Sequence, residues 1–284
     1  MNQNELKLIL EDVKSFPSMP AAALKLLTLL KDENTSNVQV EQILRYEPGL
    51  TANILKLTNS AYFGLPTKIG SIRQAVLMIG WKRLTQIVLA SCVSAIVDKP
   101  VQGYDLSAGE LWKHSVAVSV ASEILVKVLK LPVSEELFTA ALLHDVGKMV
   151  LGRYVKQDID MIDGEAMQEM PFEQVERSMF GIDHAEIGAD ILKKWLFPPA
   201  IISAVRWHHD PDAAPKSSHL IDVVHVADVL CLMSGIGMGR EGLQYQPSMA
   251  ACKRIGISDQ HLEMVISQTL QWANDLAASL QADS

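Results

Sequence analysis

Cysteine is scarce. The 284 residues hold three, Cys92, Cys231 and Cys252, far apart in the chain and with no CxxC pair among them. An odd, scattered set does not build a disulfide framework, so reduced thiols in a cytosolic setting are expected, each packed as a small hydrophobe. Positive charge is also short: 25 Lys and Arg face 33 Asp and Glu, for a formal net charge of −8 at pH 7. An acidic chain without a basic stripe is a poor match for a phosphate backbone, so general nucleic-acid binding is not expected. Part of that negative charge could serve cations instead. Long apolar runs are few. The longest, Leu84–Val97, is too short and too polar to span a bilayer, and no membrane association is expected. Met1–Phe16 mixes Glu5, Lys7, Glu11, Asp12 and Lys14 into an amphipathic pattern, which reads as a helix and not as a signal peptide. A cytoplasmic protein is the expectation.

Strand signals are missing too: no stretch alternates apolar and polar residues for long enough to make a sheet. Helical periodicity is everywhere instead. Leu24, Leu27 and Leu30, then Val40, Ile43 and Leu44, fall at i, i+3, i+4 spacing. Pro20 suits the first turn of a helix over Ala21–Leu30, Pro48-Gly49 breaks the chain before Leu50–Leu57, and Ser60 and Gly64-Leu65-Pro66 mark another break. Val223–Leu232 is rich in β-branched residues, yet its spacing fits a buried helix. Leu24, Leu27, Ile54, Leu57, Val76 and Ile79 are the expected core of the first half. With 49% apolar and 20% charged residues, the composition is that of an ordinary globular chain, long enough to bury a large core. The expected fold is all-α, in two helical lobes.

The clearest boundary is Asp98–Asp105, which carries Pro100 and Gly103 between two apolar helices. No histidine precedes it and all eight follow it. That asymmetry suggests a histidine-free lobe over residues 1–100 and a lobe over 105–284 built around a polar site. A second loop, Asp210–Ser218, is rich in Pro, Asp and Ser.

The candidate site residues are Glu110, His114, His144, Asp145, His184, His208, His209 and Asp228, each in or beside an apolar helical stretch. Glu110 and His114 share a helix face. His144 and Asp145 are adjacent, so on a helix they point about 100° apart and can flank a cluster, with the carboxylate free to bridge two cations. Lys148 lies three residues on, on the Asp145 side. Imidazole with carboxylate suits Fe, Mn, Zn, Ni or Co better than Ca or Mg. Competing roles exist for several. Ser107-Ala-Gly-Glu110 also matches a capping box, which would occupy Glu110 with a backbone N–H. His208-His209 could be a solvated helix end before Asp210-Pro211. Asp228, between Ala227 and Val229, needs a partner if buried. His225 could support Asp228 from behind, while His219 and His261 read as ordinary.

Ala141-Leu-Leu-His-Asp-Val-Gly-Lys148 resembles the signature helix of the HD superfamily of metal-dependent phosphohydrolases. His114 in Leu-Trp-Lys-His-Ser is similar to that superfamily's upstream histidine, and Asp228 in His-Val-Ala-Asp-Val to its downstream aspartate. By this resemblance His114, His144, Asp145 and Asp228 form one metal site. His184–Leu192 and Pro198–His209 resemble the segments that supply further histidines in HD-GYP proteins, which hydrolyse cyclic di-GMP. That likeness implies a bridging Asp145, a second ion on His184, His208 and His209, and a third ion reached by Glu110. The chain departs from those proteins after His209, where Asp-Pro-Asp-Ala-Ala-Pro-Lys stands in place of Gly-Tyr-Pro. The first half is similar to the HDOD family, on Phe16–Ala23, Glu47–Gly64 and Ile69–Trp81. HDOD proteins are bacterial, cytosolic and regulatory, and many have lost the HD ligands that this chain keeps.

The resemblance implies two or three transition-metal ions, Fe or Mn first and Zn, Ni or Co as alternatives. It leaves two functions open. One is a signalling module that relays a nucleotide or metal state to a partner protein. The other is a phosphodiesterase or phosphohydrolase acting on a phosphate-containing small molecule, with Asp145 and Lys148 as its catalytic groups.

Overall fold

The structure, a computed structural model, describes residues 3–19, 21–30, 35–44, 47–59, 65–132, 134–157, 170–240 and 245–281. The chain parts into two compact units: Met1–Pro17 with Val97–Leu270, and Ser18–Ile96 with Gln271–Ser284. The fold is all-α, and the described residues hold no β-strand beyond one isolated bridge, Val101 to Leu106. The breaks expected at Ser60 and Gly64 lie outside the described residues, as does the side chain of Leu27.

The histidine-free unit contains α2 (Ala21–Leu30), α3 (Asn37–Leu44), α4 (Pro48–Thr58) and most of α5 (Ile72–Val97). Pro48 opens α4 at a position where the missing N–H costs nothing. Leu26, Val40, Leu44, Ile54, Val76 and Leu84 are buried. Of the expected core, Ile54 and Val76 are buried, Leu57 and Ile79 are half-buried, and Leu24 is exposed. The reason is composition: α2 reads Ala-Ala-Ala-Leu-Lys-Leu-Leu-Thr-Leu-Leu, apolar on almost every side, so spacing alone could not phase its inner face. The stretch Ile72–Ser94 of α5 is long and apolar enough to cross a membrane by length and composition. The core helix of a soluble protein meets the same measure, and 56% of this stretch's apolar window is buried inside the protein. Gly80 interrupts the helix with φ +76°, and beyond it Leu84, Val88, Leu89 and Val93 are buried within the protein.

The other unit is built from α1 (Gln3–Ser15), a 3-10 turn at Gln102–Tyr104, α6 (Glu110–Leu129), α7 (Leu137–Leu143), α8 (Lys148–Gln157), α9 (Phe172–Phe180), α10 (His184–Lys194), α11 (Pro199–Trp207), α12 (His219–Met233), α13 (Met249–Ile255) and the first half of α14 (Asp259–Gln281). Placing α1 here corrects the division at residue 100. Asp12 accepts from Tyr154 (2.8 Å) and Arg153, Lys194 caps the carbonyls of Lys14 and Phe16, and Trp195 donates to the Pro17 carbonyl at 3.0 Å. These bonds tie α1 to α8 and α10.

Helices α6 and α12 pack on each other, and α6 also packs on α7. Both are apolar almost all round and are buried along most of their length, as central helices must be. Ala117, Ser119, Ala121 and Ser122 keep one stretch of α6 thin enough for close approach. Asp183 caps α10 through the Glu186 N–H, and Ser218 caps α12 through the Ile221 N–H. Gly147 sets a tight crossing: a Cβ there would lie 1.9 Å from the His184 carbonyl oxygen and 2.7 Å from the Gly188 nitrogen. Only glycine lets the turn before α8 lie against the start of α10, which brings Asp145 beside His184.

Candidate metal centre

Six elements converge. His114 comes from α6, His144 from the end of α7, Asp145 from the turn that follows, His184 from the first residue of α10, His208 and His209 from the end of α11, and Asp228 from α12. Asp145 is central. Its Oδ2 lies 3.2 Å from His144 Nε2 and 3.5 Å from His114 Nε2, while its Oδ1 lies 3.4 Å from His184 Nε2 and 3.7 Å from His208 Nε2. Asp228 Oδ1 faces His114 Nε2 at 3.0 Å and His144 Nε2 at 3.5 Å, and its Oδ2 faces His209 Nδ1 at 4.0 Å. Three overlapping groups have ligand atoms within 4.8 Å of one another: His114, His144 and Asp145; His144, His208 and Asp228; and Asp145, His184, His208 and His209.

The histidines are aimed from behind. Nδ1 of His114, His144 and His208 each meets a backbone carbonyl, those of Ile236 (2.8 Å), Ala141 (2.7 Å) and Val205 (2.7 Å). A carbonyl only accepts, so each ring donates from Nδ1 and points its Nε2 inward, the atom a metal would take. His184 is held by Glu176, whose carboxylate accepts from its Nδ1 at 2.8 Å and from its backbone N–H at 2.8 Å. Tyr104 donates its hydroxyl to the same carboxylate. His209 stacks on Tyr245, with centroids 4.8 Å apart, and the Tyr245 hydroxyl donates to Glu173 at 2.8 Å.

What the inward atoms lack is a partner. His144 Nε2, His208 Nε2, His209 Nδ1, Asp145 Oδ1 and Asp228 Oδ2 are buried and make no hydrogen bond. An unmet buried acceptor costs roughly 1–3 kcal/mol, and here five converge on one small volume. His184 Nε2 and His209 Nε2 meet at hydrogen-bond distance, 2.8 Å, both aimed into the same volume. The donor set, imidazole nitrogens with two carboxylates, fits borderline transition-metal ions. The residues fit a metal cluster, and cations would satisfy every orphaned atom.

Electrostatics agree. Burial works against charge on His144, yet Asp145 and Asp228 outweigh it and hold its pKa up at about 10. Burial would raise Asp145, but His144 and Lys148 hold it well below the usual carboxylate range; His114 and His144 do the same for Asp228. Glu176 lifts His184 against its burial. His208 and His209 are lowered, by burial first. The carboxylates therefore call for positive charge at the centre, and two of the imidazoles resist supplying it as protons.

Glu110 stands apart from these groups. Its carboxylate is exposed and accepts the Ser107 N–H at 2.5 Å, the capping arrangement that the spacing also allowed. Lys148 reaches Asp145 Oδ2 at 2.7 Å and is 2% exposed, an internal partner of the aspartate. His225 does not support Asp228. It donates from Nδ1 to the His208 carbonyl (2.6 Å) and accepts the Ser248 N–H at Nε2 (2.8 Å). Glu176, Tyr104, Glu173 and Tyr245 were not found in the sequence. A glutamate at helical spacing among polar neighbours looks like surface, and only the fold shows that Glu173 and Glu176 turn inward.

Comparison with known proteins gives the same fold. A solved HDOD domain protein of unknown function from Geobacter sulfurreducens superposes with a TM-score of 0.75 at 24% identity, over 98% of this chain and 97% of that one. A Shewanella amazonensis SB2B protein, provisionally named a metal-dependent phosphohydrolase, superposes with a TM-score of 0.60 at 19% identity, over 97% of this chain and 99% of its own. An uncharacterised protein of Treponema pallidum (strain Nichols) is 24% identical over 224 residues, which are 78% of this chain and 43% of that relative, so the chain spans less than half of its length. The HDOD domain model matches residues 16–211, well over half of the sequence. The chain belongs to the HDOD family.

Proposed function

We propose that this is a metal-binding regulatory HDOD protein of the bacterial cytoplasm, with a cluster of two or three ions, iron or manganese by preference, held by His114, His144, Asp145, His184, His208, His209 and Asp228. The observation that carries this reading is the set of five orphaned ligand atoms in a sealed cluster, with every ligating side chain no more than 2% exposed. A sealed centre is suited to sensing or to structural support, with its state passed to a signalling protein partner. Asp145, with one oxygen toward each flank, and Asp228 would hold the ions together with the histidines. When bound, such ions supply Lewis acidity toward phosphate esters, and redox reactivity if they are iron. Elemental analysis of protein purified anaerobically, without added metal, tests the proposal. Two or more equivalents per chain are expected, and most of that metal should be lost in Asp145→Ala. Metal-free wild-type protein that also fails to take up Fe or Mn would overturn the proposal.

A second reading is a phosphodiesterase or phosphohydrolase, with a phosphate-containing small molecule as substrate. The observation in its favour is the buried Lys148 beside Asp145, a cation within reach of the centre. In that reading Lys148 orients Asp145 and lends positive charge to a phosphate, and Asp145 would position the water whose oxygen bonds to phosphorus as the P–O bond to the leaving alcohol breaks. Turnover of a generic phosphodiester by Mn- or Fe-loaded protein, lost in His144→Ala, would favour it.

A further inference from the structure

Two described stretches after α12, residues 235–240 and 245–248, reach the outer side of four ligands, directly or through other residues. After α12 the chain runs through Gly235, Gly237 and Gly239, all at positive φ (+77°, +69° and +44°). Over this run the Ile236 carbonyl accepts from His114 Nδ1. Gly237 lies so close to His114 that a Cβ there would be 2.4 Å from the histidine Cβ. Arg240 donates its N–H to the Tyr104 carbonyl at 2.9 Å, and the Tyr104 hydroxyl reaches Glu176, which holds His184. Farther along, Tyr245 stacks on His209 and bonds Glu173. Ser248 then donates its N–H to His225 Nε2, whose Nδ1 holds the His208 carbonyl. His114, His184, His208 and His209 are each reached from behind, three of them through a single intervening residue or none.

These tethers act beside ordinary packing. Three of the first five residues of the run are glycines, which bring no side chain to bury and hold positive φ at no steric cost. Buried Ile236 and Tyr245 and the bonds of Gly235 and Ile236 back to α12 anchor the run, and its bonds to the ligand shell add to that seating. A bond that fixes a ligand from outside is also loosened when that ligand turns, and such outer partners commonly change metal affinity about 10–100-fold. Coupling of this kind is reciprocal: whatever stabilises the ligand geometry stabilises the seated strap, and the reverse.

We propose that the strap formed by Gly235–Arg240 and Tyr245–Ser248 is the output element of the metal centre: seated when the ions are bound, released when they leave. The proposal rests on the metal-binding reading above and names how the centre is read. Tyr245 is the positioning residue that joins the strap to the far flank, and the glycine run joins it to the near one. The strap is then the surface whose exposure a partner would detect.

The test is hydrogen–deuterium exchange of wild-type protein, Mn-loaded against chelator-stripped, followed by peptides covering 234–240 and 245–250. Exchange in these peptides should slow at least tenfold on loading, while peptides from α13 change little. Tyr245→Phe keeps the stacking and removes the bond to Glu173. It should hasten Mn loss to a chelator at least tenfold, with far-UV circular dichroism and Mn stoichiometry unchanged. Gly237→Ala, which forces the strap off His114, should do the same from the other end. A wild type that binds Mn yet shows identical strap exchange in both states would overturn the strap and leave the metal centre standing. A wild type that binds no Mn would overturn both. Variants that release Mn at the wild-type rate would also sink the strap.

Discussion

Glu176 and His184 form a buried pair with both ends engaged: the carboxylate accepts from the ring Nδ1 and from the backbone N–H of the same residue, each at 2.8 Å. Glu176 is 1% exposed and carries the Tyr104 hydroxyl as a further donor. It thus fixes the ring angle of a ligand without facing the cluster. Glu176→Gln keeps the size and replaces one acceptor oxygen by a donor, so the His184 ring must turn or lose a bond. Metal affinity should drop about 10–100-fold, with stoichiometry at saturation unchanged. The electronic spectrum of Co-substituted protein should shift, which a change in stability alone would not produce. Titration with a chelating indicator measures the affinity. An unchanged affinity would mean that the pair is only packing.

Ile54 and Leu24 make a paired test of the first unit. Ile54 is fully buried and Leu24 is 42% exposed, although both sat at apolar helical spacing. Ile54→Ala should cost about 2–5 kcal/mol, and Leu24→Ala under about 1 kcal/mol, near the range of ordinary surface changes. Urea denaturation of each variant gives the comparison. Equal losses would place Leu24 in a buried contact.

The contrast between those two residues also explains what was legible in the sequence. The all-helical fold followed from helical periodicity, and the gathering of His114, His144, Asp145, His184, His208, His209 and Asp228 was implied by the resemblance to HD and HD-GYP proteins. An aspartate between Ala227 and Val229 has to find a partner, and that necessity is visible in one dimension. The inner face of α2 was not legible, because a helix apolar on nearly all sides carries no phase. The contacts of the α1 segment with α10 were hidden for another reason: backbone carbonyls of Lys14, Phe16 and Pro17 receive them, and carbonyls leave no mark in a sequence. Glu110 was legible in two ways, and the local bond to Ser107 is the one observed.

Leu196 gives a prediction of opposite sign. It follows α10 with φ +60°, and its N–H and that of Phe197 bond back to the carbonyls of Lys193 and Leu192, a helix ending that favours glycine. Its side chain is 90% exposed, so nothing is lost from the core by removing it. The left-handed conformation costs a leucine roughly 1–2 kcal/mol, against about 0.5–1 kcal/mol of added chain entropy for glycine in the unfolded state. Leu196→Gly should therefore raise stability slightly, by up to about 1 kcal/mol, which is ~2–4 °C in Tm for a chain of this size. A scanning-calorimetry Tm below wild type would show that the leucine makes a contact worth more than the strain.

Acidity should act in opposite directions with and without metal. In the metal-free protein the His144 pKa is about 10, raised above its ordinary value of 6.5 by the two aspartates. A raised pKa contributes stability that is complete below about 6.5 and is lost as pH climbs through about 10. Stripped protein should therefore weaken between those limits. Metal needs the imidazole lone pair, so loading competes with that proton and affinity rises with pH. The loaded protein should gain stability relative to the stripped one over the same range. Thermal melts of both forms at pH 6.5, 8 and 9.5 check the crossing trends, and parallel curves would remove the proton–metal competition from the account.

Substrate choice is the remaining question, and here the expected result is absence of cyclic di-GMP turnover. A metal cluster can engage a phosphate, but recognition of a large dinucleotide needs shaped contacts to its bases and second phosphate. The segment after His209 is Asp210-Pro-Asp-Ala-Ala-Pro-Lys216, with two acids at its start. Asp212 is held in place by Ser248 and by Arg254 at 2.7 Å, so its charge is fixed where the loop leaves α11. Arg254 offsets the Asp212 charge directly, while Lys148 is engaged with Asp145 at 2.7 Å and Arg206 with Glu186 at 3.0 Å; of the cations near the ligand motifs, Lys216 lies in the same loop. Protein loaded separately with Fe and Mn should hydrolyse a small generic phosphodiester at least as well as cyclic di-GMP, and leave the dinucleotide essentially intact. Turnover of cyclic di-GMP that disappears in His144→Ala would reverse the ranking of the two functions and make the chain a phosphodiesterase.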